Sequence, residues 1–146
     1  MHQVADSHGG AATPVRAAAA YDTRGGSGLI SDARDFVRAF LHHLQSFRGA
    51  VVSRRAVATA QIVVSELVTN AFKYAPGSCL VRLEAHPGSL TVAVWDPSPV
   101  LPVAGLADPD RVGQHGLEIV KALCRSMDSS PEQAGKWVRA VIGLTD

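Results

Sequence analysis

The run from Ser53 to Tyr74 constrains the fold more than any other stretch. Ser53 can cap a helix that continues through Tyr74 or Ala75, where Pro76-Gly77 stops it. At about 1.5 Å per residue such a helix is roughly 33 Å long, enough to cross a small domain. Its two sides differ in chemistry. At about 100° per residue, Ala60, Val64, Leu67 and Ala71 gather on one side, while Glu66, Asn70 and Lys73 fall within a narrow arc on the other. One face is expected in a core; the other carries an acid, an amide and a cation.

What flanks this helix decides the fold class. Cys79 to His86 and Ser89 to Asp96 alternate in polarity and are joined by Pro87-Gly88, the pattern of a β-hairpin. Val81, Leu83 and Ala85 on one strand, and Leu90, Val92 and Val94 on the other, form the inward rows. Asp96 continues the second row, so a carboxylate ends a core-facing series, a costly place unless a donor meets it. Upstream, Ser31-Asp32 gives an N-cap signal, and Phe36, Val37, Phe40, Leu41 and Leu44 recur at helical spacing up to about Ser46 to Gly49. Downstream, Pro97 to Gly113 holds Pro97, Pro99, Pro102, Pro109 and Gly105 with little periodicity, a loop long enough to suggest function. A third helix starts at Gly116 with Leu117, Val120, Leu123 and Cys124 on one side. A polar turn containing Pro131 and Gly135 leads to a last strand, Lys136 to Leu144. Residues 1–28, rich in Ala, Gly, Ser and Thr, read as a mostly disordered leader, and the pattern near Arg16 to Tyr21 is too weak to assign an edge strand. The expectation is one domain over 29–146, an α+β two-layer sandwich with helices on one face of a mainly antiparallel sheet.

Composition removes several function classes. With 14 Lys and Arg against 13 Asp and Glu, the net charge of +1 offers no footprint for nucleic acid or an anionic membrane. Cys79 and Cys124 lie far apart without CxxC or Cys/His spacing, so a zinc site or disulfide framework is not expected. His42-His43 point about 100° apart on a helix and lack a third ligand nearby. Ala17 to Ala20 is too short for a signal segment, and no run approaches a membrane span. A cytoplasmic protein is expected.

Three elements then stand in order: Glu66-x-x-x-Asn70 on a helix, Asp96 at a strand end, and Gly113-Gln114-His115-Gly116-Leu117 opening a helix after a long loop. Together they resemble the GHKL superfamily of ATP-binding domains, which includes histidine kinases and gyrase-type ATPases, over roughly Ile30 to Leu144. Within it the chain is most similar to the bacterial anti-sigma regulatory factors with serine/threonine kinase activity. The resemblance implies the Bergerat-type ATP-binding fold, with ATP and Mg2+ as cofactors. It makes Glu66 the general base and Asn70 the magnesium ligand. Lys73 is placed to reach a phosphate, although a helix-surface lysine needs no function. Asp96 corresponds to the aspartate that accepts from the adenine amino group, and Gly113, Gln114, His115, Gly116 and Leu117 to the phosphate-cradling helix start. The proline-rich loop corresponds to the ATP lid. Two departures stand out. The family's DxGxG becomes Asp96-Pro97-Ser98-Pro99-Val100, and Gln114 replaces a glycine of the second glycine box.

Two functions follow from this. The first is an ATP-dependent protein kinase that binds a sigma factor in one state and phosphorylates an anti-anti-sigma antagonist in another, with dimerisation as a family expectation. The alternative, motivated by the altered Asp96 to Val100 segment, is a non-catalytic protein-binding regulator of the same fold with weak or lost nucleotide binding.

Overall fold

The alternating rows pair into one antiparallel sheet. Its strands are β1 (His2–Ala5), β2 (Val15–Asp22), β3 (Ser78–His86), β4 (Ser89–Asp96), β5 (Ser126–Glu132) and β6 (Gly135–Gly143), in the order β1-β2-β3-β4-β6-β5. Helices α1 (Gly28–Arg48), α2 (Arg54–Tyr74) and α3 (Gln114–Leu123) pack on one face of it. This computed structural model describes residues 2–5, 13–22, 24, 28–74, 77–98, 114–132 and 134–146. The expected α+β sandwich is the architecture found.

The hairpin forms as its alternation predicts. Val81, Leu83, Ala85, Leu90, Val92 and Val94 are all buried, and Gly88 supplies the φ of +78° that closes the turn between His86 and Ser89. Helix α2 begins at its predicted cap: Ser53 Oγ accepts from the Ala56 amide at 2.9 Å. The Ser53 amide donates to the Leu144 carbonyl at 2.8 Å, which fastens the start of α2 to the end of β6. From there α2 lies over β4 and β6, burying Val63, Val64, Leu67, Val68 and Ala71 against Val92, Val138, Ala140 and Ile142.

Several expectations are corrected. Within residues 1–28, β1 and β2 extend the sheet beyond β3, and Gly28 already belongs to α1, three residues before the Ser31 signal. In β2 the inward residues are Ala17 and Ala19, small enough for α1 to approach. Alanine is a poor strand former, so eight cross-strand partners in β3 impose what local propensity does not. The polar turn before the last strand is in fact β5, whose seven residues pair with β6 at the sheet edge, where Pro131 is tolerated. Leu123, expected on the buried side of α3, is 39% exposed.

The sheet face away from the helices carries its own cluster. Trp137 is covered by the Arg82 guanidinium 4.3 Å from its ring centre, with Arg139 at 5.8 Å. Arg139 in turn donates to Ser130 Oγ at 2.7 Å, tying the edge strand to β6.

Candidate functional site

The C-terminal half of α2 supplies the polar side chains. Asn70 is 5% exposed, an amide buried on the flank of a helix whose neighbouring residues fill the core. One turn earlier, Glu66 faces the start of α3, where a Cβ added to Gly116 would collide with Glu66 Oε2 and lie 3.3 Å from its Cδ. Gly116 is not among the described glycines with positive φ, so what its missing side chain provides here is room for Glu66. The structure therefore brings together two motifs that lie fifty residues apart in sequence, as a count from position 66 to position 116 shows.

Lys73 Nζ is buried and has no hydrogen-bond partner among the described residues. A bare ammonium group out of water is costly, and its place on the arc of Glu66 and Asn70 suits an anionic ligand. The first turn of α3 offers the same kind of ligand free N–H groups and the positive end of a helix dipole. Gln114 and His115 open that helix, but their side chains, like residues 99–113 of the expected lid, lie outside the described residues. Leu117, expected beside the ligand, is 3% exposed and packs into the core, so it orients α3.

Asp96 is where the strand parity puts it, 1% exposed at the inward end of β4. The donor that its burial demands is Lys136, its register partner on β6, whose Nζ donates to Oδ1 at 3.0 Å. The Ser98 amide donates to the same oxygen at 2.9 Å, the Asx-type turn of the Asp-Pro segment. Lys136 itself is fully buried. Gly135, beside it, has no room for a side chain, because a Cβ would strike the Asp96 carbonyl. Burial raises the Cys79 thiol to about 11, and the Asp96 charge nearby adds to the rise. Neither Lys136 nor Gly135 was singled out from the sequence. The signal was present, since Lys136 has the inward parity of Val138, Ala140 and Ile142, as Asp96 has that of Val94.

These features suit an anionic nucleotide. Among the described residues no three His, Cys, Asp or Glu side chains gather into a metal cluster. Magnesium, which binds through one or two protein oxygens plus phosphate and water, asks only for a group such as the Asn70 amide. Lys73, without a partner among the described residues, and the side-chain-free Gly116 suit phosphates.

Comparison with known proteins identifies the family. The family model for the histidine kinase-like ATPase domain matches residues 29–142. The catalytic domain of histidine kinase ThkA superposes with a TM-score of 0.53 at 13% identity, covering 88% of this chain and 96% of that one, a likeness of fold alone. The histidine kinase domain of the Erythrobacter litoralis EL346 blue-light activated histidine kinase is 26% identical over 60% of this chain, with a TM-score of 0.44, and this chain spans 46% of its length. A search of curated proteins finds no match.

Proposed function

The chain belongs to the histidine kinase-like ATPase domain family, and on that premise we propose that it binds ATP with magnesium and phosphorylates a serine or threonine of a protein partner. The observation that carries this reading is the contact between Glu66 and Gly116, which sets an acid against the helix start that would hold phosphates. When bound, Mg-ATP supplies an activated phosphoryl group and much of the positive charge its transfer requires. Asn70 contributes an amide oxygen to the metal, Lys73 an ammonium to the phosphates, and the first amides of α3 further donors. Asp96 accepts from the amino group of the base. Glu66 takes the proton of the attacking hydroxyl, a contribution typically worth about 10²- to 10⁴-fold.

The resemblance to anti-sigma kinases supports protein partners: a sigma factor, and an antagonist that receives the phosphate. It also supports a dimer acting in the cytoplasm. No helix among the described residues is long and apolar enough to cross a membrane.

A second reading has its own observation. Asp96 is already met by Lys136 and Ser98 within the protein, which suits a regulator of this fold that works by protein contact with little nucleotide affinity. Calorimetry with ATP and magnesium separates the two. Saturable binding that Asp96→Asn weakens supports the kinase, and its absence leaves the binding module. With γ-labelled ATP and a candidate antagonist, Glu66→Ala is expected to bind ATP and transfer nothing, while Asn70→Ala loses the magnesium-dependent part of binding. Undiminished transfer by the Glu66 variant would refute the general-base role.

A further inference from the structure

Two opposite charges sit where the apolar core ends. Asp96 closes the inward row of β4, Lys136 opens that of β6, and neither side chain is more than 1% exposed. A buried lysine on a strand of Val, Ala and Ile is expensive unless its charge is used. Among the described residues both donors to Asp96, Lys136 Nζ and the Ser98 amide, fall on Oδ1. Oδ2 is the oxygen left for a ligand. The Gly135 backbone presses against the Asp96–Pro97 backbone so closely that a Cβ would come 2.9 Å from Pro97 Cα, which fixes the carboxylate from behind.

Resting on the ATP-binding reading above, we propose that Lys136 determines base specificity: by pinning Oδ1 it makes Asp96 an acceptor only, which admits a purine with an exocyclic amino group and rejects one with a carbonyl there. Lys136 is a positioning residue in this scheme, since it acts through Asp96 and does not touch the base. An ionised carboxylate accepts and cannot donate, so an amino group is matched and a carbonyl oxygen is repelled. A buried carboxylate without its counter-ion sheds its charge by taking up a proton. The resulting carboxyl can donate as well as accept, and meets either base.

The test compares ATP with inosine triphosphate, which carries a carbonyl in place of the amino group, by titration calorimetry in the presence of magnesium. The unaltered protein should prefer ATP by about 100-fold or more, the discrimination of a site built to pair one polar group. In Lys136→Met the preference should fall below about 10-fold, a ratio that a general loss of stability does not move. Thermal melting establishes that the variant is folded. Should Lys136→Met not fold, Asp96→Asn and the double variant Asp96→Asn/Lys136→Met, which leave no lone buried carboxylate, carry the test. Their ATP-to-inosine ratios should be equal if Lys136 acts only through Asp96. An unchanged ratio in Lys136→Met, or unequal ratios in the second pair, overturns the proposal while ATP binding stands. An unaltered protein that binds neither nucleotide overturns the ATP-binding reading itself.

Discussion

A single methyl group at position 116 should separate catalysis from stability. In Gly116→Ala the new Cβ collides with Glu66 Oε2 and approaches its Cδ to 3.3 Å. Helix propensity favours alanine over glycine by about 1 kcal/mol inside α3. The obstructed atom is the far end of a flexible side chain, so Glu66 yields by a rotamer change costing on the order of 1 kcal/mol. The two effects oppose each other and leave folding stability within ~1 kcal/mol of the unaltered protein. Catalysis has no such offset, because displacing a reacting group by ~1 Å costs about 10²-fold. Thermal unfolding, ATP calorimetry and initial rates of phosphoryl transfer should therefore diverge. Unfolding and affinity stay near their starting values, the rate falls about 100-fold, and Gly116→Ala/Glu66→Ala is no slower than Glu66→Ala alone. A full rate in Gly116→Ala would show that Glu66 does not work from its place against α3. A loss of several kcal/mol in stability would show that the contact serves folding.

Three further outcomes are expected. Lys73→Met should leave the melting temperature of the free protein unchanged or raised, because the lost ammonium has no partner among the described residues, while the Kd for ATP rises about 10-fold, or about 1.4 kcal/mol; equal affinity would remove Lys73 from the phosphate site. Ser53→Ala should cost about 1 kcal/mol in urea denaturation through loss of the cap to Ala56, and a neutral result would mean that the Leu144 link alone sets the helix start. Burial raises Tyr21 from 10.0 to about 12 and both thiols from 9.0 to about 11. The folded state holds those protons more tightly, so their contribution is complete below pH 9.0 and is lost as pH rises through about 11 to 12. The urea midpoint should hold steady near neutrality and fall in that alkaline window, and the buried Cys79 thiol should react with a disulfide reagent at pH 8 only after unfolding, with fast reaction of both thiols in the folded protein contradicting its burial.

The elements that were legible in the sequence are those whose burial writes a period. Leu90, Val92 and Val94 alternate because one face of β4 is covered, and Phe36, Val37, Phe40 and Leu41 recur because one stripe of α1 is. Strands β2 and β5 write no such period. The first buries alanines under α1, and the second, Ser-Met-Asp-Ser-Ser-Pro-Glu, is held at an edge by its ladder to β6. Within the site, Glu66 and Asn70 could be paired on one helix by arithmetic. Their meeting with Gly116 depends on how α3 docks, which no local pattern records. The Asp96 parity foretold a donor, and only the register of β4 against β6 names it as Lys136.

The link from Ser53 to Leu144 makes β6 and α2 two limbs hinged at one point. Nine strand residues at roughly 3.3 Å and twenty-one helical residues at roughly 1.5 Å give reaches of about 30 Å each. One limb delivers Lys136 to its far end, and the other delivers Glu66, Asn70 and Lys73 along its outer half. Such a frame works as a gauge whose accuracy depends on residue count. One residue inserted in β6 between Lys136 and Val138 would turn Lys136 to the opposite face of the sheet, and one inserted in α2 between Ser53 and Glu66 would swing the acid about 100° away from α3. Substitutions along the two limbs can be absorbed by repacking, but changes in their length cannot.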